Sequence, residues 1–200
     1  MIKRPYFDDL ASRWDSLPGP RDASQRTACF VEKMMISDAR RVLDVGCGTG
    51  TLVGHVVRLL SPTARLVELD FAEQMLREGL RAHPDTRVER VCADARRLPL
   101  ETGVFDAVLC FGVLPHIGAS DSMAAELLRV LRTGGALGVG HLMDSRELNA
   151  FHAGLGPPIA GDHLPPASVL GATLRRAGAE SIVAEEEPGW YFVRATKGAR

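Results

Sequence analysis

Three glycines at alternate positions, Gly46, Gly48 and Gly50, close a stretch that opens with the apolar residues Val42, Leu43 and Val45 and carries Asp44 among them. The apolar run reads as a strand covered on both faces. Glycine lets the chain turn with φ > 0 and lets a ligand approach closely, because no Cβ intervenes. Residues 51–60 continue as a helix, so the loop is expected to present free N–H groups at a helix start. Strand, glycine loop and helix make a nucleotide site of the Rossmann kind. The dinucleotide fingerprint asks for its third glycine at position 51, where Thr51 stands. Asp44 would also set a carboxylate against a pyrophosphate; it suits a ligand that carries an amine or a sulfonium. Asp70, twenty positions past Gly50, ends the next expected strand, residues 65–70. An acidic side chain near that spacing meets ribose hydroxyls in such folds, and one carboxylate accepts from two vicinal hydroxyls together. The alternative role for Asp70 is an N-cap for a helix over 72–81.

The remaining candidates are histidines. His116 lies just beyond the fourth expected strand, residues 105–111, where it is placed to act as a general base if the reaction needs one. His141, His152, Asp162 and His163 include zinc-type ligands, but their spacing matches no metal motif, and no metal is expected. These residues need a frame, and the chain supplies one. Strands are expected at 41–45, 65–70, 87–92, 105–111 and 136–141, with helices between them and a closing antiparallel pair at 181–186 and 190–196. The implied fold class is α/β: a Rossmann-like, doubly wound, seven-stranded and mostly parallel sheet with an antiparallel C-terminal hairpin and helices on both faces. In such a sheet the ligand lies beyond the carboxyl ends of the strands, the edge that Asp44, Asp70, Asp94 and Phe111 share.

The order of these features carries a resemblance. DVGCGTG, residues 44–50, resembles the glycine motif of class I S-adenosylmethionine (SAM)-dependent methyltransferases, and DFAEQML, CADARRLPL, GVLPHI and ELLRVLRTGGALGVG follow in the family's order. Tyr6 to Asp15 is similar to the YFD-x-LA-x-x-WD segment of the ubiquinone/menaquinone-biosynthesis type. The similarity covers about residues 6 to 196 and is strongest over 41–140. Ala72 replaces a usual Ser, Ala93 a usual Gly, Pro115 a frequent His, and Thr133 a usual Pro. The resemblance implies SAM as cofactor and S-adenosylhomocysteine as product. It implies cofactor contacts from Asp44, Gly46, Cys47, Gly48 and Gly50, from Asp70, Phe71 and Met75, from Asp94 and Ala95, and from Phe111. In these proteins Met75 would lie near the adenine, Asp94 would accept from its amine and the Ala95 N–H would donate to a ring nitrogen. Trp14, on one helical face with Phe7 and Leu10, and Tyr6 at the start of the segment would help wall the acceptor chamber with His141 and His152. The implied reaction is methyl transfer to a small, partly apolar metabolite, with a non-catalytic SAM-binding regulatory or assembly protein as the alternative.

Composition narrows the partners. Two hundred residues with 46% hydrophobic content suit one domain, residues 1–200, with an N-terminal helical cap over 1–37 and a lid insertion over 144–166. A net charge of -1 and a pI near 6.6 leave no electrostatic footprint for nucleic acid. The segment FGVL after the fourth strand also lacks the [DN]-P-P-[YF] pattern of enzymes that methylate nucleic-acid amino groups. No apolar run approaches the roughly 18 residues needed to span a bilayer. MIKRPYFDD lacks a signal-peptide h-region, and Cys29, Cys47, Cys92 and Cys110 show no C-x-x-C spacing, so a cytoplasmic protein is expected. A homodimer is admitted, with the Gly- and Pro-rich 144–166 stretch as its contact if it is not a lid.

Overall fold

The computed structural model describes residues 3–199. Seven strands form one sheet in the order β3-β2-β1-β4-β5-β7-β6. They are β1 (Arg41–Val45), β2 (Arg65–Asp70), β3 (Val88–Cys92), β4 (Phe105–Phe111), β5 (Leu131–His141), β6 (Ala179–Glu187) and β7 (Trp190–Lys197). The first five pair in parallel, and β7 runs antiparallel to both β5 and β6. This is the expected mostly parallel sheet with its antiparallel hairpin. The strand order reverses at β1 and β4, the place where such sheets open a crevice.

Alternation along the central strands sends apolar side chains to both faces. Val42, Leu66, Ala107 and Leu109 pack under α2 (Ala23–Lys33) and α3 (Val53–Leu59), with Phe30 and Val56 fully buried among them. Leu43, Val67, Val108 and Leu137 pack on the opposite face under α6 (Asp121–Val130) and α8 (Ala167–Arg176). Both faces are covered, as near-continuous apolar strands require. The side chain of Ser120 caps α6 by accepting from the Met123 N–H at 3.2 Å.

Two expectations are corrected. The N-terminal aromatic stretch is not one helix: α1 (Arg4–Leu10) gives way to a 3₁₀ turn, Ala11–Ser16, before the Pro18–Pro20 break. Residues 144–166 are not an irregular insertion throughout, because Ser145–Leu155 forms helix α7. Asp144 starts it with a capping box, accepting from the Arg146 and Glu147 N–H groups while Glu147 accepts from the Asp144 N–H. Only residues 156–166 run as loop, and Ile159 and Leu164 are buried there whereas Phe151 and Leu155 on α7 are exposed.

Two glycines give opposite expectations. A Cβ on Gly140 in β5 would lie 2.5 Å from the ring of fully buried Phe30 and 2.9 Å from that of Phe111. Gly140→Ala is therefore expected to destabilise the fold by about 1–3 kcal/mol through overpacking. Gly154, on α7, faces open space, so Gly154→Ala is expected to stabilise by about 0.5–1 kcal/mol through helix propensity. Urea unfolding of both variants checks the contrast; a Gly140→Ala midpoint at or above the wild type contradicts the packing argument.

Candidate active site

The loop after β1 turns through three left-handed glycines, with φ of 69°, 56° and 88° at Gly46, Gly48 and Gly50. The Gly46 and Cys47 N–H groups donate to the Leu69 carbonyl at 2.6 and 3.1 Å, folding the loop back over the end of β2. A Cβ on Gly46 would meet Val113 at 2.1 Å. Besides the positive φ, this close approach to the segment after β4 requires glycine.

Under the loop lies a row of charge. Asp44, Glu68 and Arg90 are register partners across β1, β2 and β3. Asp44 and Glu68 are each 1% exposed. Arg90 Nε lies 2.8 Å from Glu68 Oε2, and its Nη2 donates to the Gly79 and His83 carbonyls. Burial raises the Asp44 carboxyl well above the usual range, helped by the neighbouring Glu68 and Asp70 charges. Burial likewise lifts Glu68 to about 7, with Arg90 opposing. The Cys47 thiol is raised too, first by burial and then by these carboxylates. Asp44 Oδ2 and Glu68 Oε1 are buried acceptors without a hydrogen-bond partner among the described residues. Unanswered anionic acceptors beside a glycine loop fit a cationic ligand group. A Cβ at Gly50 would lie 2.9 Å from Glu68 Oε1, which explains the bare backbone there.

Asp70 holds the loop. Its Oδ2 accepts from Gly48 N–H at 3.0 Å and its Oδ1 from Ala72 N–H at 2.8 Å. Burial raises its pKa while these backbone donors pull the other way. Asp70 is not the N-cap of α4 (Glu73–Ala82), which is Ala72; its carboxylate accepts from the Ala72 N–H in the turn leading into that helix, and it lines the cleft. A carboxylate has about four lone-pair sites, so these donors leave accepting capacity for a ligand.

The cleft, about 250 Å³, runs along the carboxyl ends of β1 to β4. Gly46, Asp70, Phe71, Asp94, Ala95 and His116 all line it. Asp94 is already engaged: Arg96 Nε and Nη2 approach its oxygens at 3.0 and 2.6 Å, and the pair holds its pKa below the usual range. It also accepts from the Arg96 N–H, a turn-forming contact. Of the other expected cofactor residues, Asp44, Cys47, Gly48 and Gly50 lie in or under the glycine loop without lining the cleft, and Phe111 and Met75 lie elsewhere. Phe111 packs at a tilt against Phe30, with ring centroids 4.9 Å apart, on the α2 side of the sheet. Met75 is core, packed with Phe7, Ala11, Ala72 and Ile159. The aromatic character of one and the thioether of the other serve packing, which a strand end and a helix spacing cannot distinguish from ligand contact.

The N-terminal segment crosses the loop and closes the far wall. Trp14 Nε1 lies 3.8 Å from where a Gly48 Cβ would stand, Asp15 accepts from Thr49 Oγ1 at 2.6 Å, and Asp8 accepts from the Gln74 N–H at 2.9 Å. Tyr6 packs edge-on to Phe7, which also touches the His116 ring at 5.1 Å. His116, on the short helix α5 (Leu114–Ile117), places Nδ1 2.6 Å from Asp162 Oδ2. Lys3 Nζ pairs with the other Asp162 oxygen. The His152 ring lies 5.2 Å from that of His116, and its Nδ1 is 3.3 Å from the Asp162 carbonyl. His141 is buried against Tyr191 and pushed down to about 3 by burial, then by His116 and His152. His163 is exposed and takes no part. Among the described residues no cluster of His, Cys, Asp or Glu is arranged to hold a metal. Sequence reasoning does not single out Glu68, Arg90 or Lys3, and it places Asp162 only among the zinc-type ligands.

The family model for a methyltransferase domain matches residues 42–135. A malonyl-[acyl-carrier protein] O-methyltransferase of Laribacter hongkongensis is 32% identical over 196 residues, covering 92% of this chain and 65% of that protein. A demethylmenaquinone methyltransferase of Beutenbergia cavernae is 36% identical over 135 residues, covering 66% of this chain and 54% of that protein. The chain spans 39% to 65% of the length of the first curated relatives it matches. The crystal structure of human N-acetylserotonin methyltransferase in complex with SAM superposes with a TM-score of 0.68 at 14% identity, over 98% of this chain and 56% of that one, a likeness of fold.

The charge row gives a pH prediction. Glu68 titrates at about 7 in the fold against 4.5 ordinarily. As pH rises, the unfolded chain releases this proton first, so the folded state binds more protons between those values. Stability falls with rising pH across that window. Glu68→Gln carries no such proton and is expected to gain stability relative to the wild type from pH 4.5 to 7. Urea midpoints of both proteins at pH 5 and pH 7.5 test this; a constant difference between them contradicts it.

Proposed function

We propose, from the match of residues 42–135 to the methyltransferase-domain family model, that the chain transfers a methyl group from SAM to a small, partly apolar metabolite. The observation that carries the reading is the pair of unpartnered buried acceptors, Asp44 Oδ2 and Glu68 Oε1, beneath a positive-φ glycine loop whose Gly46 lines the cleft. They suit a ligand with an ammonium and a sulfonium, and they disfavour a dinucleotide pyrophosphate. SAM, when bound, supplies a methyl group already activated on a sulfonium.

This chain's residues then have separable tasks. Asp44 and the 46–50 loop receive the charged end. Asp70, with lone pairs left over from Gly48 and Ala72, accepts from ribose hydroxyls. Phe71, Ala95 and Ile117 line an apolar wall and Asp94 a polar rim. Residues 3–16 and 156–166 border the acceptor side, where His116 faces the cleft as general base and Tyr6, Trp14 and His152 stand close by. Holding the acceptor in line and excluding water supplies up to about 7–11 kcal/mol of the barrier reduction through proximity and orientation. The acceptor's partly apolar character is supported by the cleft's lining and by a relative named for demethylmenaquinone.

Calorimetry is expected to show binding of SAM and S-adenosylhomocysteine and none of NAD; NAD binding without SAM binding overturns the reading. Asp70→Ala is expected to weaken SAM affinity by about 1.5–3 kcal/mol, the range for hydrogen bonds to a charged group. It should also lower the urea midpoint, because Gly48 and Ala72 lose their acceptor. Unchanged affinity with lowered stability would leave Asp70 as a turn residue alone. Labelled SAM bound but never consumed in a metabolite extract would favour the binding-protein alternative.

A further inference from the structure

We propose that Asp162 and Lys3 are positioning residues that fix His116 with its Nε2 lone pair toward the cleft, and that the group it deprotonates is a weakly acidic hydroxyl, phenolic or enolic. The identity of the acceptor rests on the methyl-transfer reading; the positioning does not. Three side chains from distant parts of the chain meet here: Lys3 before α1, His116 on α5 and Asp162 in the loop after α7. Asp162 is 8% exposed and has both oxygens engaged, one on His116 Nδ1 at 2.6 Å and the other on Lys3 Nζ. Lys3 Nζ also donates to the His116 carbonyl at 3.2 Å, closing a ring of contacts around the imidazole.

The tautomer follows from donor and acceptor counting. An ionised carboxylate only accepts, so the Asp162 contact places a proton on His116 Nδ1 and leaves Nε2 with the lone pair. Phe7 and His152 pack on the ring from two sides and fix its plane. The charged and titratable groups facing His116 are Asp162, Lys3, His152 and, deeper, His141. Burial lowers the His116 pKa, Asp162 opposes that, and His152 and Lys3 add to it. The ring is therefore neutral and able to take a proton at neutral pH.

The strength of this base selects the acceptor. A neutral amine presents its lone pair without help and a thiol is acidic enough to ionise readily, so neither needs a buried imidazole. A phenol, with a pKa of about 10 as in tyrosine, is within reach of general-base assistance, whereas an aliphatic alcohol is far too weak an acid. In the step, the O–H bond breaks, the proton goes to His116 Nε2, and the electron pair stays on oxygen, which becomes the nucleophile. The imidazolium formed is balanced by the Asp162 carboxylate, whose other oxygen pairs with Lys3.

The test is ¹⁵N-histidine NMR on the full chain with S-adenosylhomocysteine added, the His116 signals being identified by their loss in His116→Asn. The wild type is expected to show the neutral Nδ1–H tautomer. In Asp162→Asn the amide oxygen turns to the Lys3 ammonium and its NH₂ to His116 Nδ1. The proton then moves to Nε2, and the titration midpoint falls as the anion is lost. In Lys3→Met the Nδ1–H tautomer persists and the midpoint rises, because a cation that opposes the imidazolium is gone. A wild-type proton on Nε2, or midpoints unmoved in both variants, overturns the positioning. Calorimetry with S-adenosylhomocysteine, expected to be unchanged in Asp162→Asn because Asp162 does not line the cleft, separates this result from failure of the cofactor reading. With labelled SAM and a panel of phenols, amines and thiols, phenols are the expected acceptors. Asp162→Asn should slow that turnover on the order of 10- to 100-fold, part of the usual 10²–10⁴ general-base contribution. Transfer to amines or thiols alone, indifferent to Asp162→Asn, overturns the hydroxyl assignment.

Discussion

The Asp70 carboxylate is the joint on which the site turns. Its two oxygens accept from Gly48 on one side and Ala72 on the other, so one side chain fixes the glycine loop of β1, the end of β2 and the first turn of α4. Each is a charge-assisted bond, roughly twice the strength of a neutral one. The N-terminal segment then rests on what this joint has ordered, through Asp15 on Thr49 and Asp8 on Gln74. Loop, helix and roof therefore form one connected unit around a single buried anion.

Beside it, the sheet tolerates a row of charge that an interior normally refuses. Asp44 and Glu68 face the same side at paired positions of neighbouring strands, and only Arg90 answers them among the described residues. Removing two carboxylates from water costs several kcal/mol each even after relaxation, and one guanidinium does not restore it fully. The raised Asp44 and Glu68 pKa values express that imbalance. Strained electrostatics of this kind gather at functional sites, and here they gather under the loop the ligand is expected to meet.

Much of this was legible in the chain. Val42, Leu43 and Val45 mark β1 because both-face burial needs a continuous apolar run, and the glycine spacing marks the loop because positive φ selects glycine. Asp70 is found by its distance from that loop. The reading failed where local pattern carries no information. Asp162 sits 46 residues from His116 and 159 from Lys3, and nothing in the neighbourhood of any of them signals the others. Phe111 and Met75 were misplaced because an aromatic and a thioether pack a core as readily as they line a site. The capping box of Asp144 and Glu147 was readable, yet the glycines and prolines after Leu155 obscured the helix that it starts.

Glu68 has a thermodynamic consequence that reaches beyond structure. A group titrating at about 7 is partly protonated near neutrality. A cation settling above it at Gly50 lowers its proton affinity and drives a fraction of a proton into solution. Association is then coupled to ionisation of whatever buffer receives that proton. The observed enthalpy carries the buffer's own heat of protonation, while the free energy at fixed pH does not. Heats of association measured in Tris and in phosphate will disagree for this protein even where the dissociation constants agree, and their slope against buffer ionisation enthalpy counts the protons released.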